Sequence, residues 1–140
     1  MSCNRTVAFG TLNLAKQIIE RENYAGRSRT YRGGNPFILI ARIHVKEGKV
    51  EEYLKIANEV DNAVEDTEPG MLFHNLDADP NDPLTFTWTE VYKDSASFVD
   101  HVQNPPVQEY VDKHAELGDG FSIEIYGIVS EDVIDNINEL

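Results

Sequence analysis

The chain belongs to the α+β class, with strands and helices in the order β-α-β-β-α-β. Three observations carry this expectation. Segments of strand character fall at residues 37–45, 71–78, 84–92 and 121–129, and helical apolar stripes lie between the first and second and between the third and fourth. Clusters of Gly, Pro, Asp and Asn punctuate the joints. Right-handed crossovers then place both helical segments on one face of an antiparallel sheet, the ferredoxin-like arrangement.

In the first strand, Phe37, Leu39, Ala41, Ile43 and Val45 make one wholly apolar face, and Ile38, Ile40, Arg42 and His44 a mixed one. Helices are expected over the apolar face. Lys46-Glu47-Gly48-Lys49 is a turn, and the stripe Val50, Tyr53, Leu54, Ala57, Val60, Val64 predicts a helix to about Asp66. Pro69-Gly70 stops it. The second strand runs through Asp79-Pro80-Asn81-Asp82-Pro83 into the third. Asp94 or Ser95 caps a short helix to about Val102, Asn104-Pro105-Pro106 interrupts it, and a further helix reaches Leu117. Gly118-Asp119-Gly120 is expected to turn the chain into the last strand.

Residues 1–36 form a basic N-terminal extension, with a short helix from Thr11 to about Tyr24 and a Gly-rich linker before Pro36; residues 37–130 form the domain, and 131–140 an acidic tail or frayed helix. The extension holds six basic residues against Glu20 and Glu22, a net +4, whereas the remainder holds six against twenty-three acidic ones, a net −17. A basic arm on an acidic body is expected on its own body, on an acidic partner, or in solvent. The overall charge of −13 repels nucleic acid and anionic membranes. No apolar run approaches the roughly 20 residues that span a bilayer. A chain of 140 residues buries a core without metal or disulfide staples. The lone Cys3 has no intrachain partner, and the extension lacks a continuous apolar signal segment, so a cytoplasmic location is expected.

Trp88, Glu90 and Tyr92 alternate along the third strand and therefore share one face. A carboxylate between two large aromatics is either satisfied by structural hydrogen bonds or lines a small-molecule cavity. Our parity assignment puts this trio with Arg42 and His44 on the face away from the helices. That much exposed aromatic surface implies a partner. Sheet-to-sheet packing in a homodimer or higher even oligomer would cover it and leave a pocket in each subunit.

The stretch from about Phe37 to Val129 resembles the antibiotic biosynthesis monooxygenase family of dimeric α/β-barrel proteins. The resemblance rests on Val45-Lys46-Glu47-Gly48-Lys49, Glu68-Pro69-Gly70, Thr89-Glu90-Val91-Tyr92-Lys93-Asp94 and Asp100-His101, in that order. It implies a ferredoxin-like sheet closing into a barrel across a dimer. The family includes quinol monooxygenases, haem-degrading enzymes, an isomerase of phosphorylated autoinducer-2 and proteins without an assigned reaction. The Glu-x-Tyr-Lys-Asp run followed by a His is most similar to the autoinducer branch and implies Glu90, Tyr92 and His101 as catalytic candidates. The haem-degrading branch has an Asn where Ala41 stands and a Trp where Tyr92 stands, which argues against haem degradation.

Each candidate carries a chemical and a structural reading. Glu90 is a general base or an acceptor of structural hydrogen bonds. Trp88 stacks on a planar substrate or fills the barrel. Tyr92 donates to a substrate oxygen or packs at an interface. His101 serves the reaction or packs within its helix. Arg42 holds an anionic oxygen or pairs with an interior acid, and His44 alternates beside it. His74 binds substrate or is a satisfied buried histidine, and His114 reads as helix surface. The four histidines show no ligand spacing, so no metal is expected. Phosphate-loop, Ser-His-Asp and Cys-His patterns are absent, and no cofactor is expected. The anticipated activity is cofactor-independent monooxygenation of a quinol-like or enolisable small molecule, with isomerisation of a small carbonyl compound or a non-catalytic binding role for the arm as rivals.

Overall fold

The computed structural model describes residues 34 to 140 and the backbone of residues 5 to 7. The elements are β1 (Arg5–Val7), β2 (Phe37–Val45), α1 (Val50–Thr67), β3 (Met71–Ala78), β4 (Thr85–Tyr92), α2 (Ser95–Gln103), α3 (Pro105–Leu117), β5 (Gly118–Tyr126) and α4 (Glu131–Glu139). The expected helix at 11–24, most of the linker and Cys3 lie outside the described residues. The sheet is antiparallel in the order β1-β5-β2-β4-β3. Leaving out β1, this is the ferredoxin-like α+β fold, and three residues of the extension add an edge strand to it. No described helix is long and apolar enough to cross a membrane.

Local chemistry fixes the elements as the spacing predicts, with two differences. Asp94 is the N-cap of α2, its carboxylate accepting from the Ser97 backbone N–H at 2.9 Å and from the Ser97 hydroxyl at 2.7 Å. Pro105 and Pro106 open α3, where no intrahelical N–H is required. The first difference is in β5. Gly118-Asp119-Gly120 is not a turn but the start of the strand, with Gly118 paired to Val45 past a register shift, and Gly120 taking φ +103°. The glycine supplies an irregularity within the strand rather than ending it.

The second difference is α4. The expected acidic tail is a helix that seats Val133, Ile134 and Ile137 against Phe37, Leu39, Phe98 and Ile125. Its acidic residues outnumber its apolar ones, but the apolar ones fall at i, i+1 and i+4 and reach the core. A second core cluster joins Tyr53, Ile56, Val60 and Val64 of α1 and Val107 and Leu117 of α3 to Ile43, Val45, Phe86 and Trp88. All four helices therefore lie over one sheet face.

The register corrects the parity expectation. Phe37 pairs with Tyr92, Leu39 with Glu90, Ala41 with Trp88 and Ile43 with Phe86, so Trp88, Glu90 and Tyr92 share the helix-covered face. Arg42 and His44 pair with Thr87 and Thr85 on the opposite face. Burying two rings of roughly 150–250 Å² each contributes about 4–6 kcal/mol apiece. That outweighs the cost of one carboxylate that keeps a hydrogen-bond donor, so the aromatics set the parity and Glu90 follows. The open face carries the threonines of β4 with Ile38, Phe73 and the Arg42–Glu124 ion pair (Nε to Oε1 2.8 Å).

Candidate functional site

Between the sheet and the helices lies a cavity of about 520 Å³, within the range of small-molecule sites. Its walls are mostly apolar, from Leu39, Ala41, Val64, Met71, Phe98 and Val107. Four sets of polar side chains break this surface.

Glu90 faces the cavity from β4, and its Oε2 accepts from the Tyr92 hydroxyl at 2.6 Å. Tyr92 is fully buried, stacked on Phe37 with ring centroids 5.2 Å apart, and does not itself line the cavity. Burial first, and then the neighbouring Glu90 charge, push its phenol well above the usual tyrosine value. Tyr92 therefore stays protonated as the donor to Glu90.

His101 of α2 lies against the Tyr92 ring, with its Nδ1 2.8 Å from Glu68 Oε2. Glu68 also accepts from the Asn104 amide at 2.6 Å through its other oxygen. The Glu68-Pro69-Gly70 turn makes this possible. A Cβ on Gly70 would sit 2.2 Å from Ser97 Oγ, so only glycine lets the turn press against α2 and carry Glu68 beneath His101. Burial lowers the His101 pKa, but the Glu68 hydrogen bond and the Glu90 and Glu68 charges outweigh it and leave a net rise. Burial likewise raises Glu68, and its bonds to His101 and Asn104 reverse the sign to a net decrease. The pair is a histidine oriented by a carboxylate that favours its protonated form.

On the far wall the Trp88 indole N–H donates to the Tyr110 hydroxyl at 2.8 Å, edge-on to its ring. Tyr110 is hydrogen-bonded to Tyr53, whose hydroxyl lies 3.1 Å from His114 Nδ1. Burial pushes the Tyr110 phenol up to about 12, and burial with the Lys46 charge holds His114 below its ordinary value. His74 of β3, paired across the strand with Glu90, lies with its Nδ1 against Asp61 Oδ1 of α1.

The structure thus brings Glu90, His101, Trp88 and His74 to one cavity, with Tyr92 behind Glu90. It does not bring Arg42 or His44 there. Arg42 is bonded to Glu124, and His44 lies 3.7–3.8 Å from Asp119 and Asp82, both on the open face. His114, expected at the surface, is buried. Sequence reading missed Glu68, Tyr110 and the cavity-facing α4 residues Asn136 and Glu139. A signal existed for Tyr110 and for the buried His114: Val107, Tyr110, His114 and Leu117 recur at helical spacing and mark the inward stripe of α3. Among the described residues, no group of three or more His, Cys, Asp or Glu comes together as a metal site.

A ferredoxin-like sheet with a polar-studded cavity under its helices defines a small-molecule-binding α+β protein. The antibiotic biosynthesis monooxygenase family model matches residues 36–113, and the chain belongs to that family. Solved structures share the fold. A candidate antibiotic biosynthesis monooxygenase from Caulobacter crescentus CB15 superposes with TM-score 0.65 at 18% identity, over 69% of this chain and 92% of that one. One from Nitrosomonas europaea gives 0.63 at 22%, over 71% and 95%. A conserved protein from Methanosarcina mazei Go1 gives 0.62 at 23%, over 65% and 90%. No curated protein matches the chain.

Proposed function

We propose that the protein is a small homodimeric enzyme that oxygenates a quinol-like or enolisable molecule without a cofactor, beginning with proton abstraction by Glu90. The observation that carries this reading is the pairing, in one apolar cavity, of a carboxylate held by Tyr92 with a histidine held by Glu68. Glu90 takes the proton from the substrate hydroxyl or from the carbon beside its carbonyl. His101, oriented by Glu68, donates a hydrogen bond to the oxygen on which charge develops. Trp88 supplies a flat wall against the ring. The carbanion gives one electron to dioxygen and the two radicals combine. Loss of water then leaves one oxygen atom in the product and the other in the water.

The open sheet face, with Ile38 and Phe73 exposed, fits the barrel contact of a dimer. Such a contact should exceed about 1,000 Å². With 1,4-naphthoquinol as probe, an oxygen electrode should record one O2 consumed per hydroxyquinone formed, above the spontaneous rate. Consumption no faster than in buffer contradicts oxygenation. Turnover unchanged under argon moves the same proton transfer to isomerisation.

A further inference from the structure

Apart from its histidines, the charged residues lining the cavity are of one sign. Asp61, Glu90, Asp112 and Glu139 contribute carboxylates, and among the described residues no lysine or arginine lines it. Three histidines line it: His74 lies against Asp61 and His101 against Glu68, while His114 is bonded to Tyr53 and held below its ordinary pKa by burial and the Lys46 charge. Glu90 has a neutral donor, Tyr92, as its partner. Asp112 of α3 and Glu139 of α4 are exposed at the rim. An anion entering this space would leave water for a low-dielectric wall, pass two rim carboxylates and meet a third, with no lysine or arginine among the described residues to receive it. Oxyanion recognition instead calls for a bidentate arginine, a lysine or converging backbone amides.

We infer that the cavity selects by charge, admitting uncharged hydroxylated aromatic molecules and rejecting those bearing phosphate or carboxylate. This rests on the reading of the cavity as the substrate site and narrows its substrate class. It also separates the two reactions left open by the sequence, because a phosphorylated carbonyl substrate does not suit these walls. Part of the selectivity belongs to α4, which brings Asn136 and Glu139 to the cavity from beyond the segment matched to the family, residues 36–113. The helix is locked in place by Val133 and Ile137, both at most 1% exposed, so its rim residues are fixed relative to the sheet.

The probe pair is 2-naphthol and 2-naphthyl phosphate, which share a ring system and differ in charge. Trp88 is the single tryptophan of the chain and lines the cavity, so its indole N–H resonance reports occupancy in labelled full-length protein. The naphthol should shift that resonance and the phosphate should bind at least tenfold more weakly. In the double variant D112N/E139Q, which alters only exposed rim side chains, the gap should narrow several-fold. Equal affinities, tighter phosphate binding, or a gap unmoved by the double variant overturns charge selection, while a shifting indole leaves the cavity reading intact. If neither probe shifts the indole, the cavity reading falls and takes this inference with it.

Discussion

Replacing Glu68 by Gln keeps the shape of the side chain and removes its charge, so it isolates what the carboxylate does for His101. Glu68 is only 8% exposed at its side chain and holds His101 Nδ1 at 2.8 Å and the Asn104 amide at 2.6 Å. A hydrogen bond to a charged group is worth about 1.5–3 kcal/mol. Breaking a buried ion pair costs about 3–5 kcal/mol when the remaining charge is trapped. His101 is not trapped, because it can release its proton, so the lower range applies. In urea the midpoint should fall by about 1 M at a slope near 2 kcal/mol per molar.

The pH dependence has a defined sign. His101 is raised in the folded state, so its contribution is fully present below about 6.5, its ordinary value, and is lost as pH rises through the folded value. Glu68 is lowered, so its contribution is present above 4.5 and is lost as pH falls through the folded value. The difference between wild type and Glu68→Gln should therefore peak between these limits and shrink on both sides. By proton NMR, the His101 titration should move down in the variant, because burial then acts against fewer favourable charges. An unchanged His101 titration, or a stability difference that does not vary with pH, would refute the ion-pair account.

Three further outcomes follow from the same geometry. Gly70→Ala places a Cβ against the Ser97 side chain and should cost about 1–3 kcal/mol by overpacking, measured in urea, with turnover reduced as Glu68 shifts away from His101. Ile137→Ala removes a side chain 1% exposed and should cost about 2–5 kcal/mol, which a dispensable tail would not show. Tyr92→Phe retains the stacking on Phe37 but removes the hydroxyl that donates to the Glu90 carboxylate. It should lower kcat/KM by about 10- to 100-fold, the equivalent of about 1.5–3 kcal/mol, measured in steady-state turnover.

The order of β2 to β5 and of α1 to α3 was legible because each of these elements runs over eight or more residues and strong breakers such as Pro69-Gly70 and Pro105-Pro106 separate them. What period alone could not give was the side of the sheet. Glu90 and Arg42 sit on opposite faces, yet alternation within each strand is equally consistent with either pairing, and only the register of β2 against β4 decides. The same gap hid the pairing of Glu68 with His101, which are 33 residues apart and meet through a turn packed on a helix. Tyr110 and His114 carried a usable signal, but the polar character of the imidazole drew the reading toward solvent. For α4, three apolar residues in an acidic run gave little periodicity, and the hydrophobic floor that Phe37, Leu39 and Ile125 provide is assembled only in three dimensions.

Proton abstraction by Glu90 is common to oxygenation and isomerisation, so it is best measured apart from both. Under argon in deuterated buffer, an enolisable tricyclic ketone such as anthrone should exchange its methylene protons faster with the wild-type protein than in buffer. In Glu90→Gln that rate should fall by about 10²–10⁴-fold, or to the buffer rate, with the melting temperature nearly unchanged. Equal acceleration by the two proteins would show that the carboxylate on β4 is not the base.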